Sequence, residues 1–314
     1  MRLGINGTGL VQRASVEKIS QDAARAAAAG FSSYWLAEHP TGGFDALTVL
    51  TVVGQQVDGI ELGTAIVPTF PRHPLVLAGQ VLTARSVVGD RLTLGIGLSH
   101  ASMMAELGIG FEKPIRHLRE YLSILLPLLA TGKVAFDGES LSCHATLFQP
   151  PAVPCPVLVA ALGPQALRVA GARCHGTTLA WVGPRTIREH IVPTLTAAAD
   201  AAGRPAPRVV ATLPVCVTDD EDRVRGIVAQ GLSMYGRLPS YRAMFDREGV
   251  DGPADVALIG GEDQVRDAIA SLAAAGVTDF AATEFATTDE ERERTRALLA
   301  ALLHDDAAAT PGGR

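Results

Sequence analysis

Apolar positions recur along the chain in two alternating patterns. Short runs that are apolar at nearly every position, at 2–7 (RLGING), 33–39 (SYWLAEH), 60–67 (IELGTAIV), 91–97 (RLTLGIG), 156–162 (PVLVAAL), 177–182 (TTLAWV), 208–217 (RVVATLPVCV) and 278–285 (TDFAATEF), predict strands buried on both faces. Between them lie stretches with helical spacing, at 15–30, 46–57, 73–88, 114–131, 164–174, 184–203, 262–276 and 288–303, with Ser15 as an N-cap and Pro114, Pro164 and Pro184 at helix starts. Strand followed by helix, repeated eight times, predicts an α/β fold of the (β/α)8 barrel class rather than an open sheet of five or six strands. Two interruptions read as insertions: a hairpin around 134–140 leading to Pro150-Pro151 after strand four, and a long helical region at 219–249 after strand seven. One barrel domain is expected over 1–303, with 304–314 a disordered tail of small and polar residues.

Composition narrows the function classes. The chain has 314 residues, of which 47% are hydrophobic and 19% charged, so it can bury a large core. Its 27 basic and 33 acidic residues leave a net charge of −6, which argues against a nucleic-acid or anionic-membrane surface. The strongest apolar stretch, 121–130, is broken by Ser123 and Pro127 and is too short to span a bilayer. Met1-Arg2 runs straight into a short strand without a signal-like apolar region, so a cytoplasmic setting is expected. The four cysteines are scattered without a C-x-x-C and the eight histidines contain no H-E-x-x-H, so buried reduced thiols and no metal are expected.

Barrel chemistry sits where strands end at the C-terminal face. One motif there is a decoy. Gly4-Ile5-Asn6-Gly7-Thr8-Gly9 follows a strand as a nicotinamide fingerprint would, with Glu38 as its ribose acid, but the third glycine position falls on Gln12 and Glu38 lies too far along.

Three other segments carry more information: 30–39 (GFSSYWLAEH), 62–74 (LGTAIVPTFPRHP) and 91–100 (RLTLGIGLSH), joined by 159–165 (VAALGPQ). Together they resemble the luciferase-like flavin and deazaflavin oxidoreductases, in the branch that uses coenzyme F420. The resemblance implies a barrel of the bacterial-luciferase type with a flat tricyclic cofactor across its C-terminal mouth, and a homodimer. It also implies a non-proline cis peptide at Ala65-Ile66 behind the cofactor ring. Cofactor contacts would come from Glu38, His39, Thr64, Ala65, Ile66, Gly97, Ser99, His100, Ala160, Ala161, Leu162, Gly163, Pro164 and Gln165. Gly163-Pro164 opening a helix would seat an anionic group on free N–H groups.

His39 and His100 are the candidate catalytic residues, because an imidazole can supply or take the proton that accompanies hydride transfer. Glu38, on the opposite side of the strand if alternation holds, serves to orient a loop. In the sugar-phosphate dehydrogenases of the family an acid is expected where His100 stands. With only Lys18, Lys113 and Lys133 in the chain, an unphosphorylated small-molecule substrate is expected. Asn6, Phe70, Met103 and Trp181, with Met104, are candidates for the substrate wall. Arg72 and His73 are read as structural or touching the cofactor tail, and His117, His144, His175 and His190 as surface residues. Tyr235 and Tyr241 fall where the family carries a variable substrate lid. The leading expectation is an F420-dependent oxidoreductase reducing C=C, C=N or C=O. The alternatives are an FMN-dependent monooxygenase, a non-catalytic ligand-binding barrel and a nicotinamide dehydrogenase with an open sheet.

Overall fold

A computed structural model describes residues 1–11, 14–149 and 153–308, with side chains described to residue 303. Gln12, Pro150 and Pro151 lie outside the described residues. In chain order the strands are β1 (Arg2–Asn6), β2 (Ser33–Leu36), β3 (Glu61–Thr64), β4 (Val67–Pro68), β5 (Leu92–Gly97), β6 (Lys133–Asp137), β7 (Ser142–Thr146), β8 (Val157–Ala160), β9 (Gly176–Ala180), β10 (Arg208–Thr212), β11 (Pro214–Val217), β12 (Leu258–Gly260) and β13 (Asp279–Glu284). Parallel neighbours follow the order β1-β2-β3-β5-β8-β9-β10-β13, and β13 returns to β1 with Arg2 opposite Asp279 and Ile5 opposite Ala282. That last pairing closes an eight-stranded parallel barrel and excludes the open nicotinamide-binding sheet.

The helices start where their capping chemistry sits. Ser15 accepts from the Lys18 amide before helix Val16–Ala28, and Asp45 from the Thr48 amide at 2.7 Å before Ala46–Gln56. His73 caps helix Pro74–Val88 by accepting from the Leu75 amide, with Pro74 in the first turn.

The structure differs from the sequence reading in four places. The seventh strand is not one run over 208–217: it breaks at Leu213 into β10, paired with β9, and β11, paired with β12. β12 itself escaped notice because three residues are too short to show a period. The expected helical region at 219–249 is three helices, Glu221–Gly231, Ser233–Arg237 and Pro239–Glu248, the last opened by Pro239. The antiparallel β6–β7 hairpin lies between the fourth and fifth barrel strands. The last helix runs from Asp289 to Ala308, into the segment expected as a tail, while 309–314 lie outside the described residues.

The barrel interior is filled rather than hollow. Trp35, Leu158, Val210 and Ala281 form a fully buried cluster inside it. Gly63 faces the indole of Trp35, and a β-carbon there would lie 2.2 Å from the ring, so the large side chain of β2 requires an absent one on β3. Below them a charge network closes the N-terminal end. Arg208 Nη1 lies 2.8 Å from Glu61 and Nη2 2.9 Å from Asp279, Arg2 Nε 2.6 Å from Asp279, and the Thr93 hydroxyl donates to Glu61 at 2.6 Å. All four cysteines are buried and unpaired. Among the described residues no helix is long and apolar enough to cross a membrane.

Candidate active site at the C-terminal mouth

At the opposite end of the barrel the chain leaves the ladder early, and side chains take over from backbone pairing. β2 ends at Leu36, so His39 lies three residues beyond the strand rather than at its end. The turn is held by the Thr8 hydroxyl accepting from the Ala37 amide at 2.9 Å and by the Glu38 amide donating to the Ile66 carbonyl at 2.9 Å. Thr8 is in turn fixed by Asn6 Oδ1, while Asn6 Nδ2 donates to Thr212 Oγ1 at 3.3 Å. Gly7 and the start of helix Thr8–Val11 thus tie β1 to β2.

β3 leaves the ladder in the same way. The Thr64 hydroxyl donates to the Gly95 carbonyl and accepts from the Gly95 amide, both at 2.8 Å. The next peptide, Ala65-Ile66, is cis, where the resemblance placed it. A β-carbon at Gly95 would meet the Thr64 carbonyl oxygen at 2.0 Å, and one at Gly97 would meet Ile66 at 3.0 Å and Ala160 at 3.1 Å. Glycine at both positions lets this bulge sit against β5 and brings Ile66, Gly97 and Ala160 together. Gly95→Ala should cost about 1–3 kcal/mol because the obstructing atom is backbone, and it should weaken binding of a flat cofactor as the bulge moves. Urea unfolding and a cofactor titration on the same preparation read the two effects.

Glu38 turns away from His39. Its carboxylate accepts from Arg72 at 2.9 Å and from the Ala46 amide at 3.3 Å, and Arg72 also reaches Asp45 at 2.9 Å. Burial raises its pKa and Asp45 adds to the rise, against the opposing pull of Arg72. The pair joins Glu38 to the start of helix Ala46–Gln56, while His73 caps helix Pro74–Val88.

After β5 the chain turns through Ser99, at a positive φ of 63°, and His100 starts helix Ala101–Glu106, whose Met103 and Met104 are buried. Beyond β8, Ala161 is buried, Leu162 is half-buried, and Gly163, Pro164 and Gln165 are exposed at the start of helix Pro164–Arg173, which has no side-chain cap. His190 donates from Nε2 to the Leu162 carbonyl at 2.8 Å and so fixes that loop from behind.

Two histidines read as surface residues are buried. His190 sits in a π turn at Ile187–Ile191 that shifts the helical phase inward. His117 is bonded to Thr69 Oγ1 at 3.1 Å and stacked on Phe70 at 3.9 Å, and burial lowers its pKa to about 4. Phe70 belongs to this stack with His117 and Phe111 and shares no ring contact with Trp181 or the tyrosines.

The mouth is covered by aromatic rings. His100 lies 5.8 Å from Tyr241 and 6.3 Å from Tyr235, the two tyrosines meet edge to face at 5.3 Å, and Trp181 lies 5.6 Å from Tyr235. Both tyrosines come from the helix pair on either side of Leu238-Pro239, where the sequence had given only a variable region.

His73, His117, His144, His175 and His190 each hydrogen-bond to protein, whereas His39 and His100 do not, among the histidines whose side chains are described. Burial pushes both imidazoles below their ordinary pKa, and the charge of His39 lowers His100 further. Two neutral, unbonded imidazoles that sense each other in a half-buried recess can exchange a proton with a bound molecule.

Comparison with known proteins places the whole chain rather than its individual side chains. Residues 3–279 match the family model described as luciferase-like monooxygenase. The chain is 27% identical over 297 residues to a 5,10-methylenetetrahydromethanopterin reductase of Methanolobus tindarius, covering 93% of this chain and 90% of that one. An F420-dependent glucose-6-phosphate dehydrogenase of Kineococcus radiotolerans is 28% identical over 223 residues, 67% of this chain and 66% of that enzyme, so the match spans just under two thirds of it. In fold, an F420-dependent secondary alcohol dehydrogenase solved with an F420-acetone adduct superposes with a TM-score of 0.81 over 99% of both chains at 16% identity.

Proposed function

The chain belongs to the luciferase-like monooxygenase family, and from that premise we propose that it is a coenzyme F420-dependent oxidoreductase that moves a hydride between the deazaflavin and a small unphosphorylated organic substrate. The observation that carries the reading is the pair of unbonded, charge-poor imidazoles, His39 and His100, at the mouth of the barrel. The sequence relatives named for F420 support the choice of cofactor.

The residues present fit such a group. Ala65 and Ile66 offer an apolar surface that would back a flat ring, and Gly97, Ser99 and Ala160 to Leu162 border it. The uncapped helix start at Gly163 to Gln165 has open space around Gly163, where an anionic tail would meet free amides. When bound, coenzyme F420 supplies a two-electron hydride carrier with little oxygen chemistry. The protein's own part is to orient the substrate, exclude water and move one proton. In reduction, the acceptor carbon gains the hydride while His39 or His100 gives a proton to the heteroatom or neighbouring carbon. In oxidation, the neutral imidazole takes the hydroxyl proton as the hydride leaves carbon.

The family's other chemistry, oxygen activation on reduced FMN, is separated by one experiment. Anaerobic mixing of the protein with reduced F420 and a panel of ketones, imines and enones should restore the oxidised deazaflavin absorbance in step with acceptor loss. Product formation only with reduced FMN and oxygen would overturn the proposal.

A further inference from the structure

Trp181 brings a buried polar atom without a partner to the mouth. It follows β9 directly, at a positive φ of 59°, a conformation that a large side chain adopts only where its surroundings enforce it. Its backbone is held by the amide donating to the Thr212 carbonyl at 3.2 Å. Its indole Nε1 is buried yet has no hydrogen-bond partner. A buried indole N–H ordinarily finds an acceptor, and the other tryptophan shows this: Trp35 Nε1 donates to Ser33 Oγ at 2.8 Å.

The surroundings describe what the missing acceptor belongs to. Trp181, Tyr235, Tyr241 and His100 form one continuous set of ring contacts, and flat apolar bodies pack well on such faces. The groups are uncharged. Burial, with Tyr235 acting on Tyr241 and His39 acting on His100, accounts for the direction of every shift at Tyr235, Tyr241, His39 and His100, with no carboxylate or guanidinium among the causes. Glu248, on the same helix as Tyr241, accepts from the amides of Arg185 and Thr186.

We infer that Trp181 is a specificity-determining residue whose indole N–H holds the oxygen of an uncharged, flat carbonyl substrate, with its aryl or conjugated body between the mouth's rings. The inference rests on the reading of this site as a hydride-transfer centre and narrows its substrate class. It sets that class apart from sugar phosphates, because Trp181, Tyr235, Tyr241 and His100 offer a dianion ring faces and no ammonium or guanidinium.

The test uses the full chain, acetophenone as the probe, and ethylbenzene as its counterpart without the oxygen. With indole-15N-labelled protein, acetophenone should move the Trp181 N–H signal downfield and leave that of Trp35 in place, and ethylbenzene should move neither in this way. Calorimetry should show acetophenone bound about tenfold more tightly than ethylbenzene, the share that one neutral hydrogen bond carries. Trp181→Phe should bring the ratio close to one while F420 affinity is unchanged. Bound acetophenone that leaves the Trp181 signal unmoved, or discrimination that survives in Trp181→Phe, overturns the inference even if that variant folds poorly, because the first result comes from the unaltered protein. F420 binding is read separately by its fluorescence: F420 binding without an indole shift sinks the inference alone, and an indole shift without F420 binding sinks the functional reading alone.

Discussion

His39→Ala lowers kcat about 10²–10⁴-fold, the range that a positioned acid or base contributes, while F420 affinity changes only a few-fold. The expectation follows from the His39 ring having no hydrogen bond to lose among the described residues, so its removal takes away a proton relay and little structure. The pH profile has a defined sign. Burial lowers the His39 pKa, so near neutrality the ring is mostly unprotonated. Oxidation, which needs the neutral base, should be flat around neutral pH and fall as pH drops through the depressed value. Reduction, which needs the imidazolium, should rise over the same interval. His100→Ala should flatten whichever limb His39→Ala leaves, and steady-state rates in both directions across pH for the two variants check this. Equal, pH-independent losses in both would point to packing instead.

Arg208→Ala destabilises the fold by about 3 kcal/mol, the lower end for removing one partner of a buried ion pair. Asp279, with 3% of its side chain exposed, and Glu61 would lose their shared guanidinium, and Asp279 would keep only Arg2 and Thr278. Burial alone would raise the Asp279 pKa, but the bonds and charges of Arg208, Thr278 and Arg2 outweigh it and hold the carboxyl below its ordinary range. A depressed acid contributes stability above its unfolded pKa and loses it as pH falls through the folded value. The gap between wild type and Arg208→Ala should therefore be full at neutral pH and shrink below about pH 4. Urea midpoints across that range measure it.

The barrel was legible because a strand covered on both faces, such as Leu92–Gly97, leaves an unbroken apolar run. Strand ends were less so. At Ala37 and Gly95 the ladder gives way to hydroxyls of Thr8 and Thr64, and a side-chain hydroxyl replacing a backbone bond leaves no periodic trace. The candidate histidines at 39 and 100 were chosen for their place after strands, and the structure sets His39 three residues past β2. His117 was misread although it stands four residues before buried Tyr121 on the same helix face, and His190 because a π turn breaks the 3.6-residue phase used to assign faces. The aromatic cover was the least visible part. Tyr235 and Tyr241 meet only because the chain turns at Leu238-Pro239, and contact across a corner is a tertiary fact.

The most direct test of the account is a titration of the purified apoprotein with coenzyme F420 and, separately, with FMN, followed by cofactor fluorescence and absorbance. F420 should bind at about micromolar Kd or tighter, FMN more weakly, and Gly95→Ala should weaken F420 binding. Preference for FMN, or binding of neither, would contradict it.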